Sequence, residues 1–460
     1  MVSLGARLLR LVNESGRANV EAFLRSRAAQ SLVTNGRVVP TRVLDPAELS
    51  GHVDSPDAAP PAMLLEHDRI WFASFPYEWP AEMLYQAGLL TLDIAEQLLP
   101  ESLSLKDATP YNVLYRGPQP VFIDVLSFDQ RDPTDQTWLP YAQFLRTFVL
   151  PLLVNRHFAL PLKQILESSR DGLEPRDVYS LCGPLKRLRP PFLTLVSLPS
   201  WLGRWQRGYD PSVYRRTTVD PERARFVLQH VFRHLRGLLQ QVAPKHTKSA
   251  WSGYDTDATR ERDQLATKRR FIEDLVQQHR PSAVLDIGCN TGYMAAIAAR
   301  AGASVVAIDS DPVMVGETWR RAVTEKLDIL PLVVDLTRPS PAVGWRNREC
   351  PSFLARASGV FDTVFMLAVI HHMLVSERIP LSEIVDLAAE LTDDLVVIEY
   401  VAPQDPLFRR LARGRDDLFS EVTTEAFEET CKRQFDIVNS VSLGPGTRRM
   451  YVLKKRGRLA

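Results

Sequence analysis

At 460 residues the chain is too long for one ordinary core, so two or three domains are expected. Hydrophobic residues at 45%, charged residues at 24% and aromatics at 8% give the profile of a globular chain. Lys+Arg 56 against Asp+Glu 55 leaves a formal net charge of +1, which excludes a polybasic or polyacidic protein and leaves only local patches. Nothing repeats at a fixed period, so solenoids and propellers drop out. Asp54 to Pro61 (DSPDAAPP) reads as a loop.

Arg69 to Trp79 (RIWFASFPYEW) reads as a strand and hinge. Met83 to Leu99 reads as a helix, with Leu84, Ala87, Leu90, Ile94 and Leu98 on one face. Leu105 to Asp124 (LKDATPYNVLYRGPQPVFID) then sets Asp107 five residues before Asn112, and after a turn reaches Phe122-Ile123-Asp124. This spacing resembles the catalytic loop of protein kinases, where one acid faces the acceptor hydroxyl and an Asn with a second acid holds magnesium. The phosphate-gripping parts are missing. No G-x-G-x-x-G precedes the loop, and Lys106 is the first lysine of the chain. An arginine is a poor substitute for that lysine. Residues 1–244 are expected to be an α+β kinase-like domain that transfers no phosphate and serves acceptor binding or regulation. The open alternatives are active phosphotransfer, and a turn that Asp107 and Asn112 merely order.

Pro184 to Pro199 is Pro-punctuated and basic at its start, through Lys186, Arg187 and Arg189. Pro221 opens an amphipathic helix whose stripe reads Phe226, Val227, Val231, Leu235, Leu238 and Leu239. It stops near Pro244, and Lys245 to Thr259 is polar and loop-like. The domain boundary is placed there, giving a second domain over 245–460. Trp251, Tyr254 and Lys268 precede its sheet, where aromatics suit either a lid over a sulfonium or an anchor to the sheet.

Ser282 to Arg300 (SAVLDIGCNTGYMAAIAAR) is a short apolar strand, an acid, a glycine turn and an alanine-rich helix. That is the nucleotide-binding start of a doubly wound α/β sheet. Asp309 ends the next strand 23 residues after Asp286, a spacing that suits an acid taking both hydroxyls of a ribose. The turn is G-x-x-x-G rather than the dinucleotide G-x-G-x-x-G, with Asn290 where a left-handed conformation is needed. Asp286 at the lip repels phosphate and pairs well with an ammonium group. A ribose, an adenine and an amino-acid tail together describe S-adenosylmethionine.

Asp335 follows a third strand (Pro331 to Val334), Phe361 to Met373 (FDTVFMLAVIHHM) supplies the fourth, and Leu395 to Tyr400 the fifth, with Glu399 near its end. A hairpin closes the order: Phe435 to Leu443, Gly444-Pro445-Gly446-Thr447, Arg448 to Lys454. Residues 281–401 thus resemble the class I S-adenosylmethionine-dependent methyltransferases, which implies a Rossmann-like sheet with an antiparallel closing hairpin. The resemblance implies that Asp286, Gly288, Asn290 and Gly292 cradle the methionine part. It also implies that Asp309 takes the ribose, that Asp335 and Leu336 border the adenine, and that Leu367 faces the cofactor. With PYEW, LKDATPYNV and VFIDVLSF upstream, the chain from about residue 60 resembles the nodulation-protein-type methyltransferases of bacteria. A non-catalytic Rossmann-like domain is the bland alternative.

After the fourth strand come Leu367 to His372, without an N-P-P-Y motif. His371, or else His372, is the candidate base for a hydroxyl acceptor. The other reading is that one or both merely cap or pack the turn, and in-line positioning can do the work with no base. The expected acceptor is an oxygen or nitrogen of a small molecule or glycan. RNA is the alternative, through Lys454-Lys455-Arg456-Gly457-Arg458 and the Lys186 to Arg189 patch, but the net charge weighs against it. A scaffold of two degenerate folds is the third reading. Cys182, Cys289, Cys350 and Cys431 stand far apart with no C-x-x-C pair, which argues against a disulfide framework or a cysteine-rich zinc site and fits a reducing cytosol. No apolar run approaches the ~20 residues of a membrane span, and Met1 to Arg10 lacks a signal-peptide core. No metal site and no membrane partner are expected.

Overall fold

The computed structural model describes residues 2–5, 7–45, 48, 61–205, 219–245, 259–444 and 446–457. The chain divides into two units. One comprises Met1–Tyr77, Ala81–Arg116 and Pro120–Lys245; the other comprises Glu78–Pro80, Gly117–Gln119 and His246–Ala460.

The first unit opens on an antiparallel sheet ordered β1-β2-β4-β3, from Val2–Leu4, Arg7–Val12, Met63–His67 and Thr41–Leu44. The helices Glu14–Arg25 and Arg27–Thr34 separate β2 from β3. Ser26 between them caps the second, accepting from the Ala29 N–H at 3.0 Å. The expected strand over 69–79 does not form. The strand is β4, just before it, and residues 69–79 are irregular apart from one short turn at Pro76–Glu78. Phe72, Tyr77 and Trp79 are all buried, although no strand forms over them. The helix Ala81–Leu98 buries Leu84, Ala87, Leu90, Ile94 and Leu98, the face its periodicity predicts. β5 (Leu103–Leu105) pairs with β8 (Phe128–Gln130), and β6 (Val113–Arg116) forms a hairpin with β7 (Gln119–Phe122).

The helix Pro221–Gln241 starts on Asp220, whose carboxylate accepts from the Glu222 and Arg223 N–H groups. Its buried stripe is rotated from the expected one. Ala224, Leu228 and Phe232 join Leu235, Leu238 and Leu239 inside, Phe226 is exposed, and Val227 and Val231 are half-buried. The inward side chains meet apolar neighbours: Phe232 lies edge-on to Trp138 at 5.1 Å, and Leu239 lies over Gly88 of Ala81–Leu98.

The second unit is built on a seven-stranded sheet ordered β11-β10-β9-β12-β13-β15-β14. Its strands are β9 Ala283–Ile287, β10 Ser304–Asp309, β11 Ile329–Val333, β12 Phe361–Met366, β13 Thr392–Val401, β14 Phe435–Ser442 and β15 Arg448–Lys455. The first five run parallel; β15 is antiparallel to β13 and β14 to β15. Helices cover both faces of a parallel sheet, so its strands are near-continuous apolar runs, as in the buried Val305–Ile308 and in Leu395–Val401, which Glu399 interrupts. This is the methyltransferase-type α/β sheet that the resemblance implies. The fourth strand ends at Met366, and His371 and His372 lie on the short helix Ile370–Val375. Strand order reverses between β10 and β12 on either side of β9, which opens a crevice beyond their carboxyl ends. Among the described residues no helix is long and apolar enough to cross a membrane.

Candidate functional site

After β9 the chain turns through Gly288, Asn290 and Gly292, all left-handed at φ +71°, +49° and +72°. A Cβ at Gly288 would stand 2.6 Å from Val369 Cγ2, and one at Gly292 2.5 Å from Thr318 Cγ2. Both glycines therefore let the turn close against neighbouring chain. Thr318 clamps it by donating its hydroxyl to the Asn290 carbonyl at 2.8 Å. The missing side chain at 292 makes room for Thr318, not for a ligand.

The turn borders a cavity of about 450 Å³ in the crevice. Asp286, Gly288, Asn290, Asp309, Asp335, Leu336, Leu367 and His372 all line it. Asp286 is buried, and its Oδ2 has no partner among the described residues. Burial, and then the charge of Asp309, push its carboxyl up to about 7. Asp309 accepts from the Asn290 N–H at 3.0 Å and the Asp311 N–H at 2.9 Å, which fixes its carboxylate plane. Burial raises its pKa too. Asp335 is oriented by Thr337, whose N–H and O–H both donate to Oδ1, at 3.0 and 2.6 Å.

The two histidines separate. His372 is half-buried on the cavity wall, and burial lowers its pKa. His371 does not line the cavity; it is 1% exposed, and its Nδ1 has no partner among the described residues. Burial, and then the neighbouring His372, lower it to about 3. The ring centroids stand 4.3 Å apart.

Behind this wall lies a buried cluster of charges. Lys268, on the helix Thr259–His279, holds Glu399 at 2.7 Å. Arg448 lies 3.5 Å from the other Glu399 oxygen and grips Asp405 through two bonds of 2.8 and 3.0 Å. Burial works against the Asp405 charge, but the Arg448 bonds outweigh it and keep its pKa below the ordinary value. Lys268 thus lines the cavity as a paired cation. Trp251 and Tyr254 lie outside the described residues.

In the first unit, Asn112 and Asp124 do come together. The Asn112 amide donates to Ser127 Oγ at 3.0 Å, and Ser127 donates to Asp124 Oδ2 at 2.6 Å. The other Asp124 oxygen is held by Arg10 of β2. Asp107 is half-buried just after β5. Above them His67 of β4 shares a bond of 2.9 Å with Thr41, and burial lowers it to about 4.

Residues 257–434 match the family model for a methyltransferase domain. Over 455 residues the chain is 30% identical to the nodulation protein NoeA of Rhizobium meliloti (strain 1021), covering 98% of this chain and 92% of that protein. The chain belongs to the NoeA family. It is also similar to two solved structures over part of its length. One is the magnesium protoporphyrin IX methyltransferase of Synechocystis PCC 6803, at 20% identity over 45% of this chain and 92% of that one, TM-score 0.33. The other is the N-methyltransferase NodS of Bradyrhizobium japonicum WM9, at 14% identity over 45% and 94%, TM-score 0.33.

This NoeA-family chain is an S-adenosylmethionine-dependent methyltransferase, and S-adenosylmethionine is its cofactor. The site fits that group: the unpartnered Asp286 oxygen suits an ammonium, and Met314, Leu336 and Leu367 give it an apolar wall. Sequence reasoning missed Thr318, Arg10, Asp405 and the pairing of Lys268 with Glu399. Only Glu399 carried a signal, as an acid within an apolar strand.

Proposed function

We propose that the chain methylates an oxygen or nitrogen of an uncharged small molecule or glycan. The observation that carries this reading is the charge of the cavity wall. Among its described residues stand four acids, Asp286, Asp309, Asp335 and Glu377, against one ammonium, Lys268, itself paired with Glu399; Arg338 offsets part of this by pairing with Glu377 at 3.0 Å and Asp335 at 3.6 Å. Such a wall repels a polyanion. The basic C-terminal run is engaged elsewhere. Lys455 donates to the Ala389 and Thr392 carbonyls, and Arg456 pairs with Asp436 at 2.8 Å. Both observations weigh against RNA as the acceptor. Methyl transfer from labelled cofactor into separated small-molecule, glycan and RNA fractions tests this, and label in RNA alone overturns it.

The cofactor supplies a methyl group on a sulfonium. Asp286, freed of its proton, holds the ammonium end, and Asp309 with Asp335 sets the nucleoside. His372, neutral at pH 7 because burial lowers its pKa, takes the proton that the acceptor loses as its new bond to carbon forms. His371, buried behind it, fixes the turn.

The first unit is, on this reading, a kinase-like acceptor or regulatory domain without phosphotransfer. Arg10 and Ser127 already occupy the acid that would hold magnesium. Magnesium-dependent ATP hydrolysis that disappears in Asp124→Ala overturns this reading.

A further inference from the structure

Residues 181–202 of the first unit carry a surface that the methyl-transfer reading does not use. Leu185 is 75% exposed, Leu202 67% and Leu188 61%, with Leu181 and Leu198 exposed beside them. The exposed positions of this stretch are held by Leu, Pro, Gly, Thr and Arg, and none is acidic. Across residues 175–205 the sequence has Arg176, Lys186, Arg187, Arg189 and Arg204 against a single acid, Asp177.

Three short helices make one surface of this stretch: Pro175–Leu181, Pro184–Arg187 and Leu198–Trp205. The Trp201 indole donates to the Tyr179 hydroxyl at 3.2 Å, the Arg187 guanidinium lies 4.0 Å over the Tyr179 ring, and Ser197 donates to the Arg187 carbonyl at 2.8 Å. Those contacts tie each helix to the next. The Lys186 ammonium lies 4.1 Å over Phe158, so its stem runs along apolar surface and its charge stays at the edge. The leucines are not an unfilled core, because the inward positions Val178, Phe192, Leu195 and Val196 are already buried.

We propose that this face docks on an anionic phospholipid surface, with its leucines in the acyl boundary and its basic side chains at the headgroups. Charge complementarity favours this occupant. Apolar insertion and attraction to anionic lipid add, and each alone is weak. A second copy of the chain docked by the same face would set its cations against their own copies. RNA would leave five exposed leucines without use. The chain would lie on the membrane without spanning it, which revises the expectation of no membrane partner.

The test is co-sedimentation of the full chain with vesicles of phosphatidylcholine alone and of phosphatidylcholine with phosphatidylglycerol. Binding to the mixed vesicles is expected, falling as salt is raised. Leu185→Ser with Leu188→Ser should lower the vesicle-bound fraction by about tenfold or more. Arg189→Glu should weaken binding at low salt and flatten its salt dependence. These exposed substitutions should leave thermal unfolding and cofactor affinity in place, which separates lost docking from lost folding. No binding to anionic vesicles, or equal binding by the leucine variant, overturns the proposal. A wild-type dimer in sedimentation velocity that the leucine variant abolishes, without vesicle binding, assigns the face to self-association instead.

Discussion

Two sites in this molecule are built from carboxylates on strand ends and differ in what satisfies them. In the methyltransferase unit, Asp286 keeps a buried oxygen without a partner and is pushed up to about 7. In the first unit, Asp124 has both oxygens engaged, by Arg10 and Ser127. An unsatisfied buried polar atom costs stability of order 1–3 kcal/mol, so a fold retains one where a ligand offsets the cost. A site whose acids are paired from within has no such deficit to offer. An acid, an amide and a second acid at the right spacing do not by themselves leave an open site; Asp286 differs in keeping an unpaired oxygen beside a cavity.

The largest effect that sharpens this contrast lies in turnover. His372→Ala should lower kcat by about 10² to 10⁴ with cofactor affinity nearly intact, whereas His371→Ala should act mainly on stability. Equal losses of kcat at both positions would erase the distinction drawn between them. Next in size is binding. Asp286→Ala or Asp309→Ala should cost roughly 1 to 3 kcal/mol of cofactor affinity by calorimetry, while Asp124→Ala should cost none.

A third measurement uses pH. The Asp286 carboxyl, raised to about 7, is protonated below that pH, and the cofactor's ammonium needs it ionised. Cofactor affinity should therefore rise with pH by up to about tenfold per unit until about pH 7, with a proton released on binding. Asp286→Asn should flatten that profile. The smallest effect belongs to the first unit. Asp124→Ala should cost about 1 kcal/mol of stability in denaturant unfolding, because its pair with Arg10 is partly solvated.

What the sequence discloses follows the range of the interactions. The acid, the glycine turn and the apolar strands are local, so Asp286, Asn290 and the parallel sheet were legible from periodicity and turn chemistry. Asn290 does take the left-handed conformation expected of it. The choice between His371 and His372 depends on the phase of a helix entered through Ala368 at φ +53°, which no local pattern declares. The Pro221–Gln241 stripe was misphased for a related reason, since a neighbouring helix decides which apolar side chains turn inward. Arg10 with Asp124, and Lys268 with Glu399, join residues more than a hundred positions apart. Pairing at that distance leaves no trace in spacing.

The two neighbouring imidazoles, tilted by 43°, have a consequence for proton traffic. Burial lowers His372, and it lowers its neighbour His371 to about 3. Burial disfavours a charged ring at His371, and the buried charges beyond are already balanced in pairs. On the proposed mechanism, a proton taken up by His372 leaves through the cavity that His372 lines, as the methylated product does. Regeneration of the base and departure of product then share that cavity, so a product slow to leave also keeps the imidazole charged and delays the next turnover.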